Sequence, residues 1–479
     1  VPREINFGVG MAELSLNKLN DEESHLFAKL REQLSVYQAA NDIKGKYYEG
    51  KSRLRDLGIA LPPSLRGFEV VVGWPGTAVD VLEERLDWEG WVSPGDEFDL
   101  GDIYHGNDLD VESSMAHLDA LIYGTAFVAV STGAAGEPGV LVTVESPKNM
   151  TAIFSGRTRR VSSALSVSRD EHGRIESAML FLPDETISLA LDTGQWVVTG
   201  RDPHKLGRVP VVQLVNRPRS GDIGGRSEIT RAVRYYTDAA ARTVISGEVA
   251  REFYAAPQRW MMGAPESFFQ DEAGNTKPAW ESYLGRILAV ERDEEDNLPT
   301  VGEFKSSSPE PYINQVRSYS QLLSAEAAIP PTYLGFATDQ AASADAIRAM
   351  EARLVKRAER RQKMFGRAWT EVARLAMLFR DGVEPRDFGS VRPLWRDPST
   401  PTRAAAADEV VKMISADVYP PDSGVTYDRL GLSETDQRRL TEDKRRTQLT
   451  QLIGRLQQPS GAVDPKVDEL ASRNTPVAA

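Results

Sequence analysis

Two consecutive prolines, Pro330-Pro331, stand between two long helical patterns, and a third helical pattern runs up to Pro257. Proline lacks the amide hydrogen, fixes its own φ and disfavours helix in the residue before it, so no helix crosses these points. The spacing of apolar residues predicts one long helix over 228–254, a second over 312–329 and the longest over 343–380. In the longest, Ser343 is the expected N-cap, with Asp345 in the first turn. Ile347, Met350, Leu354, Phe365, Val372, Leu375 and Phe379 form its expected apolar stripe. Residues 258–311 interrupt the first pair as an insertion with aromatic residues, turns and the acidic run 291–296. An insertion between two long helices belongs at the far end of a paired stalk. The short loop 334–342 then joins the second helix to the longest one.

The N-terminal half reads as mixed α+β. A helix is expected over 21–44, with Leu26, Leu30, Leu34 and Tyr37 at helical spacing, a short one over 77–88, and another over 110–123 that stops at Gly124. From 125 to 215 the pattern is β. Strands are expected at 125–131, 141–144, 163–168, 178–182, 187–191, 196–199 and 211–215, separated by turns such as Asp192-Thr193-Gly194. Residues 216–225 read as a polar loop. The stretch from 402 to 457 reads as helical, and the polar tail after Pro459 as disordered.

Composition narrows the chemistry. There is no cysteine among 479 residues, which excludes disulfides, thiolate nucleophiles and cysteine-ligated zinc. The net charge of −13 argues against tight, non-specific binding of nucleic acid, because affinity for phosphates comes from Lys and Arg. The longest apolar stretch, 121–130, is broken by Gly124 and falls far short of a bilayer span.

Four patterns suggest activity and each has a plainer reading. Gly45-Lys46-Tyr47-Tyr48-Glu49-Gly50-Lys51-Ser52 fits the phosphate-binding G-x-x-x-x-G-K-S pattern. Yet it follows an amphipathic helix instead of an apolar strand, and Glu49 would repel phosphate. A helix end whose tyrosines pack on a neighbouring part is expected. His105 lies near Asp102, Asp108 and Asp110, which reads as a solvated acidic loop before a metal site. Consecutive acids at 293–296 diverge in direction and read as a hairpin tip, not a nuclease centre. Arg348, Arg353, Lys356, Arg357, Arg360, Arg361, Lys363 and Arg367 make one helix basic. They read as spread around it, with most of them ion-paired within an acidic protein.

One set of motifs carries a resemblance. Leu206-Gly207-Arg208-Val209-Pro210-Val211-Val212, then Asn216-Arg217, then Gly224-Gly225-Arg226-Ser227-Glu228-Ile229 opens the first long helix. This resembles the strand, loop and stem-helix start of SPP1-like portal proteins of tailed bacteriophages. Tyr48-Glu49-Gly50, the step from Ile122 to Val128, the small-residue run Ser343-Ala344-Asp345-Ala346-Ile347 and the run from Tyr427 to Ser433 agree in order. The resemblance covers roughly residues 20–450. It implies an α+β portal-type subunit with an α/β wing, a two-helix stem, an inserted clip, a long helix and an α-helical crown, assembled as a ring of generally twelve. The implied boundaries are 1–224 for the wing, 225–257 and 312–330 for the stem helices, and 258–311 for the clip. The tunnel loop and long helix take 331–400, the crown 401–458 and the disordered tail 459–479.

On that resemblance the DNA-channel loop would present Gly335, Phe336, Thr338, Asp339 and Gln340. The clip would dock partners through Trp260, Met261, Phe268, Phe269, Trp280 and Tyr283. The implied partners are other copies of the chain, double-stranded DNA, the terminase large subunit, a head–tail adaptor, the major capsid protein and a scaffold, with no membrane, cofactor or metal. The implied location is the portal vertex of the virion, after assembly in the host cytoplasm. The acidic balance suits a channel through which DNA slides without sticking. An ATPase or nuclease of the packaging motor is the enzymatic alternative, and a scaffold that assembles without DNA is a third.

Overall fold

The computed structural model describes residues 18–52, 70–93, 98–222, 224–254, 259–262, 300–303, 308–335, 344–384, 388–399, 403–432 and 434–457. They form two compact units, residues 1–398 and 399–479.

The first described element of the first unit is α1 (Asp21–Tyr48). Its start is fixed by a capping box: Asn20 Oδ1 accepts from the Glu23 amide at 2.8 Å, and Glu23 Oε2 accepts from the Asn20 amide at 3.0 Å. Arg201 clamps Glu23 at 2.7 Å and also reaches Glu185, so hydrogen bonding to Arg201 holds the Glu23 carboxyl below its usual range. Phe27, Leu30 and Leu34 face an antiparallel meander of β4 (Met150–Phe154), β5 (Val161–Arg169), β6 (Ile175–Phe181), β7 (Thr186–Asp192) and β8 (Gln195–Asp202). Tyr37, expected on this face, is 54% exposed instead, because the inner row passes from Leu34 to Asn41. The first strand, β4, was not legible. Its five residues, Met150 to Phe154, lack the alternation of a half-exposed strand because Met150, Thr151 and Ala152 are all buried.

A second sheet runs β3 (Val140–Glu145), β2 (Thr125–Thr132), β9 (Val211–Val215), all antiparallel. Phe127, Ala129, Val209 and Val211 on one side meet Met150, Ala152, Ala164 and Phe181 of the meander. The other side joins the largest core, under α2 (Trp74–Glu83), α3 (Leu100–Gly106), α4 (Leu109–Tyr123) and α7 (Ala344–Asp381). The short helix expected at 77–88 starts earlier, since Pro75 suits a first turn, and ends before Trp88. Trp88 instead opens β1 (Trp88–Val92), which pairs with β12 (Arg392–Trp395). The expected acidic loop around His105 is also corrected: it is helical, as α3 and the start of α4, with Asp99 and Asp108 in left-handed conformation before each helix. Asn107 between them is buried and donates to Ile103 O and Val140 O while accepting from the Val142 amide. No group of three or more His, Asp or Glu suited to a metal occurs among the described residues.

Aromatic packing locks α7 into this core. Trp369 stacks on Trp88 at 4.2 Å, and its indole N–H donates to His117 Nε2 at 2.9 Å. His117 is itself stacked on Phe365 at 5.1 Å. Trp91 Nε1 donates to Trp369 O at 3.0 Å.

Two further helices, α5 (Arg231–Tyr254) and α6 (Glu310–Ala327), rise from the same core. Between them, β10 (Arg259–Met262) pairs antiparallel with β11 (Thr300–Glu303). The second unit contains α8 (Arg403–Ser415), α9 (Gly424–Arg429) and α10 (Glu434–Gln457). Ser423 caps α9, and Lys444 of α10 binds Asp422 and the Tyr427 hydroxyl.

Burial alone pushes the His117 pKa down to about 3 from 6.5. In the unfolded chain His117 takes up a proton below about pH 6.5, and in the folded chain it does not. Its contribution is therefore complete above that pH and is lost as pH falls, by at most about 1.4 kcal/mol per unit. Urea unfolding at pH 7 and 5 is expected to show a shallower pH dependence in His117→Gln than in the parent. An unchanged slope would mean the imidazole does not resist protonation in the folded chain.

Candidate functional site: the paired helices and their junction

The strand–loop–helix segment singled out in the sequence is the point where the paired helices leave the core. Two glycines make the crossing possible. Gly124 ends α4 with φ of +101°, and Gly225 has φ of +79°. A Cβ on Gly225 would lie 2.1 Å from Gly124 O and 2.8 Å from Asn216 O, so no other residue fits. The close approach lets the Asn216 amide donate to Gly124 O, the Arg226 amide to Asn216 O and the Glu228 amide to Leu121 O.

A buried ionic cluster sits on this crossing. Glu228 is 3% exposed and Asn216 fully buried. Arg361 of α7 donates to Glu228 Oε1 and Arg357 to Oε2, each at 2.5 Å. Asn216 donates to Glu228 Oε1 at 3.0 Å and accepts from Arg361 Nε at 3.0 Å. Burial pushes the Glu228 carboxyl up, but the charges of Arg357 and Arg361 outweigh it and hold the group below its usual range. The helix expected from residue 228 starts three residues later, because Glu228 is spent on α7 and Thr230 Oγ1 accepts from the Val233 amide as the cap.

The helices α5 and α6 run antiparallel. Thr230 Oγ1 donates to Glu326 at one end of the pair, and Gly247 packs on Tyr312 near the other. At the far end lies the β10–β11 ladder, in which Trp260 pairs with Gly302 and Met261 with Val301. Phe268, Phe269, Trp280 and Tyr283 lie outside the described residues.

At the near end α6 stops at Ala328 in left-handed conformation, two residues before the prolines. Ser324 Oγ donates to Ile329 O at 2.6 Å. A 3-10 turn, Pro331–Leu334, follows and closes on Gly335 with φ of +86°. Gly335 is thus the described root of the expected channel loop, while Phe336, Thr338, Asp339, Gln340 and the expected cap Ser343 lie outside the described residues. The root is tied to α7. Tyr333 donates to Glu351 at 2.7 Å, Arg85 pairs with Glu351 at 3.2 Å, and Arg85 also donates to Pro398 O at 2.8 Å. Sequence reasoning missed both the Arg85–Tyr333–Glu351 group and the role of Glu228. The four-residue spacing of Arg357 and Arg361 was the available signal that two cations share one inward face.

The phosphate-loop pattern is accounted for. Gly45 to Tyr48 are the last residues of α1, so their amides serve the helix. Tyr47 donates to Asp238 and Tyr48 to Asp80, and Lys51 pairs with Glu49 at the surface. Of the basic residues of α7, Arg357 and Arg361 pair with Glu228 and Lys356 with Glu359.

The chain is similar to phage portal proteins in sequence. The profile of the family described as "Phage portal protein, SPP1 Gp6-like" matches residues 16–425. A portal protein of Mycobacterium phage D29 is 37% identical over 380 residues, 77% of each chain. A portal protein of Mycobacterium phage L5 is 36% identical over 401 residues, 80% of this chain and 81% of the relative. Two solved chains are similar at 12% identity. One is from the neck of an empty GTA particle with C6 symmetry (TM-score 0.42, 75% of this chain and 90% of the other). The second is from the neck of a native GTA particle with C12 symmetry (TM-score 0.40, 81% and 98%).

Replacing Glu228 by Gln leaves two buried guanidinium groups without their counter-charge. The expected loss is about 3–5 kcal/mol in urea unfolding at pH 7. Lys356→Gln, which removes a solvent-exposed pair, is expected to leave the urea midpoint essentially unchanged. Equal effects of the two substitutions would contradict the role given to the cluster.

Proposed function

The chain belongs to the SPP1 Gp6-like family of phage portal proteins, and on that premise we propose that it is the structural, non-enzymatic subunit of a ring-shaped DNA channel. About twelve copies would stand at one capsid vertex, and DNA would enter during packaging and leave at ejection through their common lumen. In this reading residues 1–224 are the wing, α5 and α6 the stem, 258–311 the clip, and 401–458 the crown. The clip would dock the terminase large subunit and then the head–tail adaptor, through Trp260, Met261 and the aromatic residues between β10 and β11. The major capsid protein and a scaffold would meet other surfaces. Assembly would occur in the host cytoplasm before the ring joins the virion.

The observation that carries this reading is the arrangement of the two antiparallel helices. One end of the pair leads into the β10–β11 ladder and the other into a loop root braced against α7 by Tyr333 and Glu351. A wall element with a docking segment at one end and a braced loop at the other suits a conduit. The phosphate-loop pattern that favoured an ATPase forms the end of α1, and the acids at 293–296 that favoured a nuclease lie outside the described residues.

Residues 335–342 contain no Lys or Arg and carry Asp339. At a constriction such a loop would repel phosphates and keep the duplex centred, whereas a basic loop would release counterions and grip. Particles carrying Asp339→Lys are expected to package or eject DNA more slowly while still assembling rings. Unchanged DNA movement in those particles would remove the loop from the channel.

A further inference from the structure

The cations of α7 sort by side. Arg357 and Arg361 turn inward to Glu228, while Lys356, Arg360, Lys363 and Arg367 recur in steps of four, three and four and are all exposed. This corrects the expectation that the basic residues are spread around the helix with most of them ion-paired. Lys356 pairs with Glu359, but Arg360, Lys363 and Arg367 form no ion pair among the described residues. The same rhythm continues to Glu371 and Arg374, so the row follows the helix for about 27 Å. Glu371 is the acid of that row, and it is already answered. Arg208 donates to it at 2.7 Å, Arg374 at 2.9 Å and Arg160 at 3.3 Å. Burial pushes its carboxyl up, but hydrogen bonding to Arg208 and the charges of the three arginines outweigh it and hold the group below its usual range.

Arg160 brings a second basic segment to this row. It ends the turn between β4 and β5, Ser155-Gly156-Arg157-Thr158-Arg159-Arg160, in which the Ser155 amide donates to Arg160 O and the Arg159 amide to Ser155 O. Residues 156–160 are all exposed, and Arg157 and Arg159 form no ion pair among the described residues. Three cations of α7 and two of the turn are thus joined at Glu371 with no counter-charge of their own. No large apolar side chain is exposed on α7 from residue 351 to 380 or in the turn. A contact between folded proteins centres on apolar and aromatic groups, whereas contact with duplex DNA is polar and strongly basic. Single strands are held by aromatic side chains that stack on bases, and none is exposed here. The whole-chain charge of −13 does not oppose a local contact, because at 0.1 M salt a phosphate senses charges within about 10 Å.

We propose that the α7 row and the β4–β5 turn together bind the phosphate backbone of double-stranded DNA, through Arg360, Lys363, Arg367, Arg157 and Arg159. Such a contact positions the duplex and does not read its bases, so it is independent of sequence. It is a second DNA contact besides the loop after Gly335, and the two differ in kind: residues 335–342 hold no Lys or Arg and let a duplex slide, whereas this surface grips. That the duplex is DNA rests on the conduit reading above; the surface itself does not need a closed ring.

Fluorescence anisotropy of a labelled DNA duplex titrated with the full chain at several salt concentrations tests it. The wild type is expected to bind, and to bind more weakly as salt rises. Arg360→Glu with Lys363→Glu, and separately Arg157→Glu with Arg159→Glu, are each expected to bind about tenfold more weakly or worse. Each is also expected to lower the slope of log affinity against log salt by about 2. Arg174→Glu with Lys29→Glu changes the total charge equally, on the turn at the opposite end of β5 and on the exposed side of α1, and is expected to bind like the wild type. Circular dichroism checks the fold of each. Where a reversal variant is unfolded, the same two positions are changed to Gln, with the same loss of slope expected. A wild type that does not bind the duplex at low salt would overturn the proposal. So would wild-type affinity in either surface variant, or an equal loss in the Arg174 and Lys29 variant, which would assign the effect to total charge. Mass photometry of the same proteins keeps the two readings apart. Rings lost in Arg360→Glu with Lys363→Glu at unchanged duplex affinity would give the row to a neighbouring copy and overturn the proposal. Wild-type rings that bind no duplex would overturn it and leave the conduit reading in place.

Discussion

A carboxylate taken out of water is costly unless cations and hydrogen bonds surround it. Glu228 is such a group, and the fold supplies two buried guanidiniums, the more exposed Arg217 at 3.5 Å and a buried amide for it. Asn216 comes from the end of β9, Glu228 from the segment before α5, and Arg357 and Arg361 from α7. The sheet, the paired helices and the long helix are therefore held in one relation by a single buried charge. Partial formation is penalised more than complete formation, since any missing partner leaves a buried ion exposed to its own desolvation cost. The cluster thus acts as a check on register: α7 cannot slide by one residue without separating both arginines from Glu228.

Two backbone devices make the cluster reachable. The contact of Gly124 with Gly225 lets the end of α4 and the approach to α5 pass within hydrogen-bonding distance. The prolines after α6 turn the chain back toward α7, where Tyr333 and Arg85 meet Glu351. The paired helices are consequently fixed at their base on both sides, by Glu228 before α5 and by Tyr333 after α6. In a conduit this matters mechanically, because forces on the loop would pass into α7 and the core through named side chains.

Much of this order was legible in the sequence where one local signal decides the structure. α5 ends at Tyr254 and α6 at Ala327, close to where the sequence set their limits, Gly124 stops α4, and the turns between strands mark most of the meander. Local signals failed where distant residues decide. Trp88 was read as the end of a helix because its strand partner, Trp395, lies about three hundred residues away. The stretch around His105 looked like a solvated loop because its acids are conspicuous, while Leu100, Ile103 and Leu109, which bury one side, are few. The glycine-lysine pattern at 45–52 begins at the end of α1, in the helical context that the sequence suggested. The stripe assigned to α7 was right at Leu354, Phe365, Val372 and Leu375, and wrong at Ile347 and Met350, which are apolar in the right rhythm but project beyond the core. Periodicity identifies the apolar side of a helix; it does not say how far along the helix the core reaches to cover it.

In the proposed conduit α5 and α6 wall an axial channel in a closed ring. A symmetry-resolved electron cryomicroscopy reconstruction of the purified wild-type chain tests it most directly. The account predicts a closed ring, about twelve copies, with an open lumen walled by the α5–α6 pairs and narrowed by the segment that follows Gly335. An assembly without a continuous lumen, or a ring with α5 and α6 on its outer surface, would contradict it.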